Sequence, residues 1–181
     1  MDRELKRIHE ILQRLLEFAR PIRQNVVSCN LNSLVQDCGS LIRGRKGFRE
    51  VEFEYDLDPE LPCIETEPEK IRQVLVNLIF NAADAIPQSG GKITLRTRKD
   101  RDSVEIEVED TGGGIPKDNM EKIFDPFFTT KEPGKGTGLG LAVCLGLVES
   151  LGGSVEVVSE EEKGTRVTVR LHAGSLSGRA S

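Results

Sequence analysis

The stretch from residue 110 to residue 141 constrains the fold of this chain more than any other part of it. It holds seven of the 18 glycines in the 181-residue sequence, at positions 112, 113, 114, 134, 136, 138 and 140. Glycine weakens helices and strands, but it permits positive φ and lets the backbone approach a ligand closely. Four of these glycines alternate across residues 134–140, directly before an apolar helical run. We therefore predict a loop of backbone amides leading into a helix N-terminus, an arrangement that binds phosphate.

A carboxylate ends the strand that leads into this loop. Residues 104–109 alternate between apolar and acidic side chains, which predicts a strand, and Asp110 follows them directly before the glycine turn. The loop lacks the glycine–lysine pattern of Walker-type phosphate loops, and no strand directly precedes Gly136 as a dinucleotide fingerprint requires. We interpret the stretch as a nucleotide site. On the loop alone, a mobile surface loop is the alternative.

Composition argues against several other classes of protein. The net charge of −5 and the lack of a basic patch interleaved with aromatic residues argue against nucleic acid as the main partner. No apolar run reaches the ~18 residues that a membrane span requires, and no signal peptide opens the chain. The four cysteines show no metal-type spacing, which predicts reduced, mostly buried thiols in a cytoplasmic protein.

The N-terminal region predicts one helix. Residues 3–20 carry apolar side chains at alternating spacings of three and four, the a/d pattern of a helical bundle, and Pro21 ends the run. Because the run is shorter than three heptads, it needs a partner to pack on, and we interpret it as the remaining part of a dimerisation element. His9 falls outside the a/d series, which favours a solvent-facing histidine over a phosphoacceptor.

Periodicity divides the rest of the chain into strands and helices. Strands are expected at 26–30, 51–57, 61–65, 91–99, 103–110, 155–158 and 165–171. Helices are expected at 32–43, 67–86, 117–123 and 138–151. The last of these helices is apolar nearly all round and is expected to be buried. Three phenylalanines, at 124, 127 and 128, are expected to pack one end of the glycine loop while the rest of the loop moves.

The helix expected at 67–86 carries a polar line beside its apolar stripe. Asn77, Asn81 and Asp84 follow one another at spacings of four and three residues. Asparagine is a mediocre helix former, so two of them one turn apart need a reason. They either cap a neighbouring loop and face water, or they supply an amide oxygen to a Mg²⁺ ion already held by phosphates. The spacing leaves both interpretations open.

Four segments resemble the motifs of sensor histidine kinases, in the order in which that family carries them. Residues 77–85 look like the N-box, 110–115 like the first glycine box, 124–131 like the phenylalanine box and 136–141 like the second glycine box. Gly164 and Thr165 resemble a final short motif of the family. Residues 129–131 are similar to the nitrogen-regulation branch, and residues 7–21 resemble the later part of its second dimerisation helix.

The resemblance implies an α+β fold of the Bergerat type. This is a two-layer α/β sandwich, with a mixed sheet and three helices on one face, preceded here by one N-terminal helix. Residues 1–22 would be the remnant of the dimerisation helix, 23–172 the ATP-binding catalytic domain and 173–181 a disordered tail. The domain would use ATP and Mg²⁺ to phosphorylate a histidine on the dimerisation helix. The full-length protein would be a homodimer that acts on a response regulator.

Carried over by position, the resemblance also implies the base-binding residues. Asp110 would accept a hydrogen bond from the adenine amino group. Gly112 and Gly114 would allow the turn around the base, and Thr165 would lie near it. Further contacts with the nucleotide are expected from Ile115, Phe124, Thr130, Gly136, Thr137, Gly138, Leu139, Gly140 and Leu141.

At the phosphate end, Asn81 would coordinate Mg²⁺ and Asn77 would support the phosphates, so both are expected to act in catalysis. Asp84 is expected to contact the cofactor. Some branches of the family carry a lysine at position 84, and here Lys131 or Lys135 would have to supply that positive charge.

One departure from the family concerns the acceptor. The residues that follow His9 and Glu10 do not match the family's acceptor motif, so the chain is expected to lack its phosphoacceptor helix and to be truncated at its start. Two other functions are left open: an ATPase of the DNA gyrase type, and a serine-kinase anti-sigma factor or related interaction module. The gyrase-type enzymes place a catalytic glutamate where this chain has Asn77, which cannot deprotonate water.

Overall fold

A computed structural model describes residues 25–43, 51–131 and 136–173 of the chain. The helix expected at 3–20, His9, Lys135 and the tail beyond residue 173 lie outside the described residues. None of the helices in the described part is long and apolar enough to cross a membrane.

The described residues form seven strands, three α-helices and one short 3₁₀-helix. The strands are β1 (Val27–Cys29), β2 (Val51–Leu57), β3 (Ile64–Thr66), β4 (Gly91–Asp100), β5 (Ser103–Asp110), β6 (Ser154–Glu160) and β7 (Gly164–His172). The α-helices are α1 (Leu31–Arg43), α2 (Pro68–Ala85) and α3 (Gly140–Ser150), and the 3₁₀-helix spans Lys117–Asn119. Helix α2 begins at Pro68, whose fixed φ suits the first helical position.

Five strands form one mixed sheet in the order β2-β4-β5-β7-β6. Strands β2 and β4 are parallel, and the other neighbours are antiparallel. The register opposes Asp110 at the end of β5 to Thr165 at the start of β7. Strands β1 and β3 pair separately as a small antiparallel sheet.

The two faces of the large sheet differ in chemistry. Apolar residues of the inner face, such as Leu95 and Ile106, join the core cluster with residues from all three α-helices. The outer face carries ion pairs, including Arg166 Nη2 to Glu109 Oε1 at 2.6 Å and Arg170 Nε to Glu105 Oε1 at 2.6 Å. Because successive residues of a strand point to opposite faces of the sheet, apolar and acidic residues alternate along β5. The predicted two-layer α+β sandwich, with helices on one face of a mixed sheet, is confirmed.

The prediction of a helix at 117–123 is wrong. Only Lys117–Asn119 is helical, and the hydrogen bonds that continue the segment are short-range turns, such as Lys122 N to Asn119 O at 2.9 Å. Bonds between residues three apart do not propagate an α-helix, so the segment remains a chain of turns. The side chain of Ile123 in this segment is nevertheless buried.

The helix expected at 138–151 is buried on one face only. Helix α3 begins at Gly140, and its buried residues are Val143, Cys144 and Val148. One face packs against α2 and the sheet, while the rest of the helix is half-buried or exposed. The apolar composition of this helix therefore did not mean burial on every side.

Candidate nucleotide-binding site

Asp110 forms a buried acceptor where β5 meets the first glycine turn. The residue is only 6% exposed, and its Oδ1 accepts a hydrogen bond from the Gly112 amide at 2.8 Å. Burial raises the pKa of the Asp110 carboxyl, although hydrogen bonds from the amides of Gly112 and Thr165 act in the opposite direction. The carboxylate is thus held in a fixed orientation with little water around it.

The turn that follows has room for glycine only at positions 112 and 114. A Cβ atom on Gly112 would lie 2.5 Å from the carbonyl oxygen of Ala85, at the end of α2. Gly114 has a φ of +68°, and a Cβ atom there would lie 2.1 Å from the carbonyl oxygen of Glu160. The turn is therefore clamped between α2 on one side and the β6–β7 hairpin on the other.

Ser159 is a residue of this site that the sequence analysis missed. Its Oγ accepts a hydrogen bond from the Ile115 amide at 2.8 Å and lies 2.9 Å from both Gly164 O and Thr165 Oγ1. Ser159 and Thr165 are directly opposed in the β6–β7 register. Strand alternation could have put Ser159 on the inner face, but its contact with Ile115 spans 44 residues of sequence.

The N-terminus of α3 meets Asn81 of α2. A Cβ atom on Gly140, the first residue of α3, would lie 3.4 Å from Asn81 Nδ2 and 3.7 Å from Asn81 Oδ1. The amide side chain of Asn81 is half-buried beside this helix end. A helix N-terminus attracts anions through its free amides and its dipole, so phosphate oxygens and a bound cation have partners here.

Asn77, one turn before Asn81 on α2, lies near Cys144 of α3. The Cys144 side chain is fully buried, and its Sγ also lies 3.8 Å from Val74 O. Burial raises the pKa of the Cys144 thiol to about 12, although a hydrogen bond with the Asn77 side chain acts in the opposite direction. The expected role of Asn77 at the phosphates stays a prediction.

Lys131 and Asp84 form an ion pair between the glycine loop and α2. Lys131 Nζ lies 2.6 Å from Asp84 Oδ2. A Cβ atom on Gly136 would lie 2.6 Å from Thr129 Oγ1 and 3.1 Å from Lys131 Cδ. The two ends of the loop therefore meet next to α2, while residues 132–135 between them lie outside the described residues.

Phe127 departs from its expected packing. Its side chain is 70% exposed and its φ is +71°, whereas Phe124 and Phe128 are half-buried as expected. Its amide donates to Gly138 O at 2.9 Å. The prediction of a three-phenylalanine cluster is therefore wrong for Phe127.

The remaining expected contacts are distributed along the same loop. Thr130 is exposed, and the side chains of Thr137, Leu139 and Leu141 are half-buried. The Leu139 amide approaches Thr137 Oγ1 at 3.5 Å. Their contacts with a nucleotide stay predictions.

These residues form one continuous site, with an amine acceptor at one end and an anion-binding helix end at the other. Residues 66–175 match the family of histidine kinase-, DNA gyrase B- and HSP90-like ATPases. The chain belongs to this family. The family's ATP-binding catalytic domain therefore accounts for most of the described residues.

Among curated relatives, the chain is similar to sensor histidine kinase ZraS of Escherichia coli O157:H7. The two are 38% identical over 171 residues, which span 94% of this chain and 37% of ZraS. The chain thus spans little more than a third of this relative.

Solved structures of histidine kinases are also similar to this chain. The catalytic domain of histidine kinase ThkA aligns with a TM-score of 0.73 and 32% identity, over 82% of this chain and 96% of that domain. Full-length ShkA in complex with AMPPNP aligns with a TM-score of 0.79 and 26% identity, over 94% of this chain and 37% of ShkA. ThkA in complex with the response regulator TrrA aligns with a TM-score of 0.77 and 28% identity, over 96% and 49% of the two chains. The resemblance to histidine kinase catalytic domains is confirmed.

The donor groups at the phosphate end suit Mg²⁺ that arrives with a nucleotide. Among the described residues, no cluster of three or more His, Cys, Asp or Glu side chains could hold a metal ion. Asn81 offers one neutral oxygen beside the α3 N-terminus. Mg²⁺ commonly takes one or two protein ligands and completes its octahedron with phosphate oxygens and water, so these residues fit such an ion.

Proposed function

We propose that this chain is the ATP-binding catalytic domain of a sensor histidine kinase. In this proposal it transfers the γ-phosphoryl group of ATP to a histidine on a dimerisation helix. The supporting observation is the pairing of two features at opposite ends of one glycine-rich site. Asp110 is a buried acceptor for an amine, and Gly140 opens a helix next to Asn81.

The proposed chemistry needs positioning and charge neutralisation rather than a protein nucleophile. Asn81 would hold a Mg²⁺ ion against the phosphates, and the amides near Gly138 and Gly140 would bind phosphate oxygens. Lys131 would supply positive charge to the transferred group. The bound Mg²⁺ would neutralise the charge that develops on the phosphate oxygens. Asp110 would fix the base at the far end, so that the γ-phosphate reaches the same point each time.

Direct hydrolysis of ATP is disfavoured by the residue four positions before Asn81. A hydrolase of this fold needs a base there to activate water. Asn77 carries an amide at this position, and an amide cannot deprotonate water. The γ-phosphate should therefore wait for a histidine nucleophile from another segment.

The partners and setting of the domain are part of the proposal. A response regulator is the expected final acceptor, which the alignment with ThkA in complex with TrrA supports. A homodimer would present the acceptor histidine, with residues 1–22 as the end of the dimerisation helix and 23–172 as the catalytic domain. A cytoplasmic setting is supported by four cysteines that are all free thiols. The nitrogen-regulation branch stays a prediction.

The test is phosphoryl transfer to a separate polypeptide that carries a histidine kinase acceptor helix. The 181-residue chain is mixed with γ-labelled ATP, Mg²⁺ and that polypeptide, and the label is followed through acid and alkali treatment. We expect slow, acid-labile and alkali-stable labelling of the acceptor polypeptide, because tethering normally supplies the effective concentration. Omission of Mg²⁺ is the control. Rapid release of free phosphate would favour the ATPase alternative, and a label on the chain that His9→Ala removes would make His9 the acceptor.

A further inference from the structure

Three polar side chains form one row across three strands of the sheet. Asp110 of β5 opposes Thr165 of β7, and Thr165 opposes Ser159 of β6. Directly opposed residues of antiparallel strands project from the same face. Since Asp110 is buried on the inner face, the row Asp110–Thr165–Ser159 lies on the helix-covered side of the sheet, at the end where the base is expected.

The hydrogen bonds around Ser159 determine which way the Thr165 hydroxyl points. The carbonyl oxygen of Gly164 can only accept, so the single hydroxyl hydrogen of Ser159 is directed to it over 2.9 Å. The Ile115 amide can only donate, and it uses one lone pair of Ser159 Oγ over 2.8 Å. The 2.9 Å contact between the two hydroxyl oxygens therefore needs its hydrogen from Thr165. A Thr165 hydroxyl that donates to Ser159 can only accept from a third group.

We propose that Ser159 is a positioning residue that sets the Thr165 hydroxyl as an acceptor toward the base, so that the site selects a 6-amino purine over a 6-oxo purine. This inference rests on the proposed function, because it needs a purine nucleotide beside Asp110. With Thr165 fixed in this way, the base meets two acceptors. An exocyclic amine can donate to both, whereas a 6-oxo group presents its own lone pairs to them and is repelled.

Ser159 also ties this row to the first glycine turn. Its oxygen holds the Ile115 amide, and the neighbouring Glu162 amide donates to Gly113 O at 2.8 Å. The β6–β7 hairpin therefore holds the turn in place through two separate bonds. A purely structural role for Ser159 would weaken the binding of every purine equally, and the proposed role would change the preference between purines.

The experiment measures the affinities of ATP and ITP for the 181-residue chain by calorimetry in Mg²⁺ buffer. These nucleotides have the same triphosphate, and ITP carries a 6-oxo group where ATP carries the amine. The variants are Ser159→Ala, Ser159→Thr and Thr165→Val. Ser154→Ala is the matched control, because Ser154 lies on the same strand and is exposed on the opposite face.

We expect the wild type and Ser154→Ala to bind ATP at least about tenfold more tightly than ITP, the factor for one well-placed hydrogen bond. Ser159→Ala should reduce that ratio about tenfold, because the freed Thr165 hydroxyl can turn and donate to the 6-oxo group. Ser159→Thr keeps a hydroxyl at the same place and should keep the ratio. Thr165→Val removes one acceptor and should reduce the ratio, because ATP loses a hydrogen bond and ITP loses one repulsive contact.

An unchanged ATP-to-ITP ratio in Ser159→Ala, with both affinities lowered equally, would overturn this inference and leave the proposed function standing. A wild type that binds neither nucleotide would overturn both. If circular dichroism shows that Ser159→Ala does not fold, Thr165→Val decides: an unchanged ratio in that variant overturns the inference, and a reduced ratio supports it.

Discussion

Lys131 forms an ion pair with Asp84 of α2, with 2.6 Å between Nζ and Oδ2. It is the last described residue before positions 132–135 of the glycine loop. Lys131 is also the cation that we propose for the nucleotide phosphates. Because the Asp84 carboxylate and a phosphate would attract the same ammonium group, they compete for it. Asp84 should therefore lower the affinity for triphosphate, although it lies on the helix that carries Asn81.

Asp84→Asn should strengthen ATP binding. The paired side chains are 34% and 53% exposed, so solvent screens the pair and the gain should be only about two- to fivefold. Glu69→Gln is the matched control, since it removes the same charge from an exposed pair with Arg72 at the other end of α2. The measurement is calorimetry with ATP at low and high salt. Weaker ATP binding by Asp84→Asn would mean that Asp84 itself contacts the cofactor.

The buried carboxyl of Asp110 should make one part of the stability depend on pH. Burial raises the pKa of this carboxyl in the folded chain above its ordinary value of 3.8. The folded chain thus binds this proton more tightly than the unfolded chain does. Protonation of Asp110 therefore stabilises the fold at low pH, and this contribution is lost as pH rises from 3.8 through the raised pKa. The melting temperature of the wild type should therefore fall relative to that of Asp110→Asn across this window. A constant difference between the two melting curves at all pH values would contradict the account.

The four thiols should separate into one reactive and three protected groups. Cys63 is exposed, whereas Cys29, Cys38 and Cys144 are buried. Burial raises the pKa of each of these three thiols, to about 12 for Cys144, and thiolate is the reactive form. Labelling with a thiol reagent at pH 8 should modify Cys63 alone in the folded chain and all four in urea. Cys63→Ser should abolish the labelling of the folded chain, and fast labelling of Cys144 would disagree with its burial.

Local patterns in the sequence predicted most of the fold. The alternation in β5 and the apolar stripe of α2 each repeat with the period of one element, so they identify that element without knowledge of its neighbours. The prediction of a helix at 117–123 was wrong because the short turns of this segment have no such period. The predicted packing of Phe127 was wrong because an aromatic residue usually packs in the core. No local feature of the sequence indicates that its backbone adopts a positive φ.

The sequence motifs named the residue types of the candidate site but not the contacts between them. Asp110, Asn81 and the glycines are recognisable from their motifs. The contact of Lys131 with Asp84 joins residues 47 positions apart, and that of Ile115 with Ser159 joins residues 44 apart. Such contacts depend on how the strands and helices pack together, which no single segment encodes. The role of Ser159 therefore emerged only from the structure.

Asn81→Ala should remove the part of ATP affinity that depends on Mg²⁺. Its amide oxygen is the one protein ligand proposed for the ion, while contacts with the base lie at the other end of the site. ATP should then bind this variant equally well with Mg²⁺ and with EDTA, and adenosine binding should be unchanged. Gln73→Ala, which removes an amide two turns earlier in α2, should behave as the wild type. A Mg²⁺ effect that survives in Asn81→Ala would move the ion elsewhere.

The most direct test of the adenine nucleotide site is a calorimetric comparison of ATP and GTP on the wild type, Asp110→Asn and the exposed control Asp102→Asn. The wild type and the control should bind ATP much more tightly than GTP, because the Asp110 carboxylate accepts from an amine and repels a carbonyl. Asp110→Asn should weaken ATP binding by ~1.5–3 kcal/mol, the range for a hydrogen bond to a charged group. Equal affinities of the wild type for ATP and GTP would contradict the account.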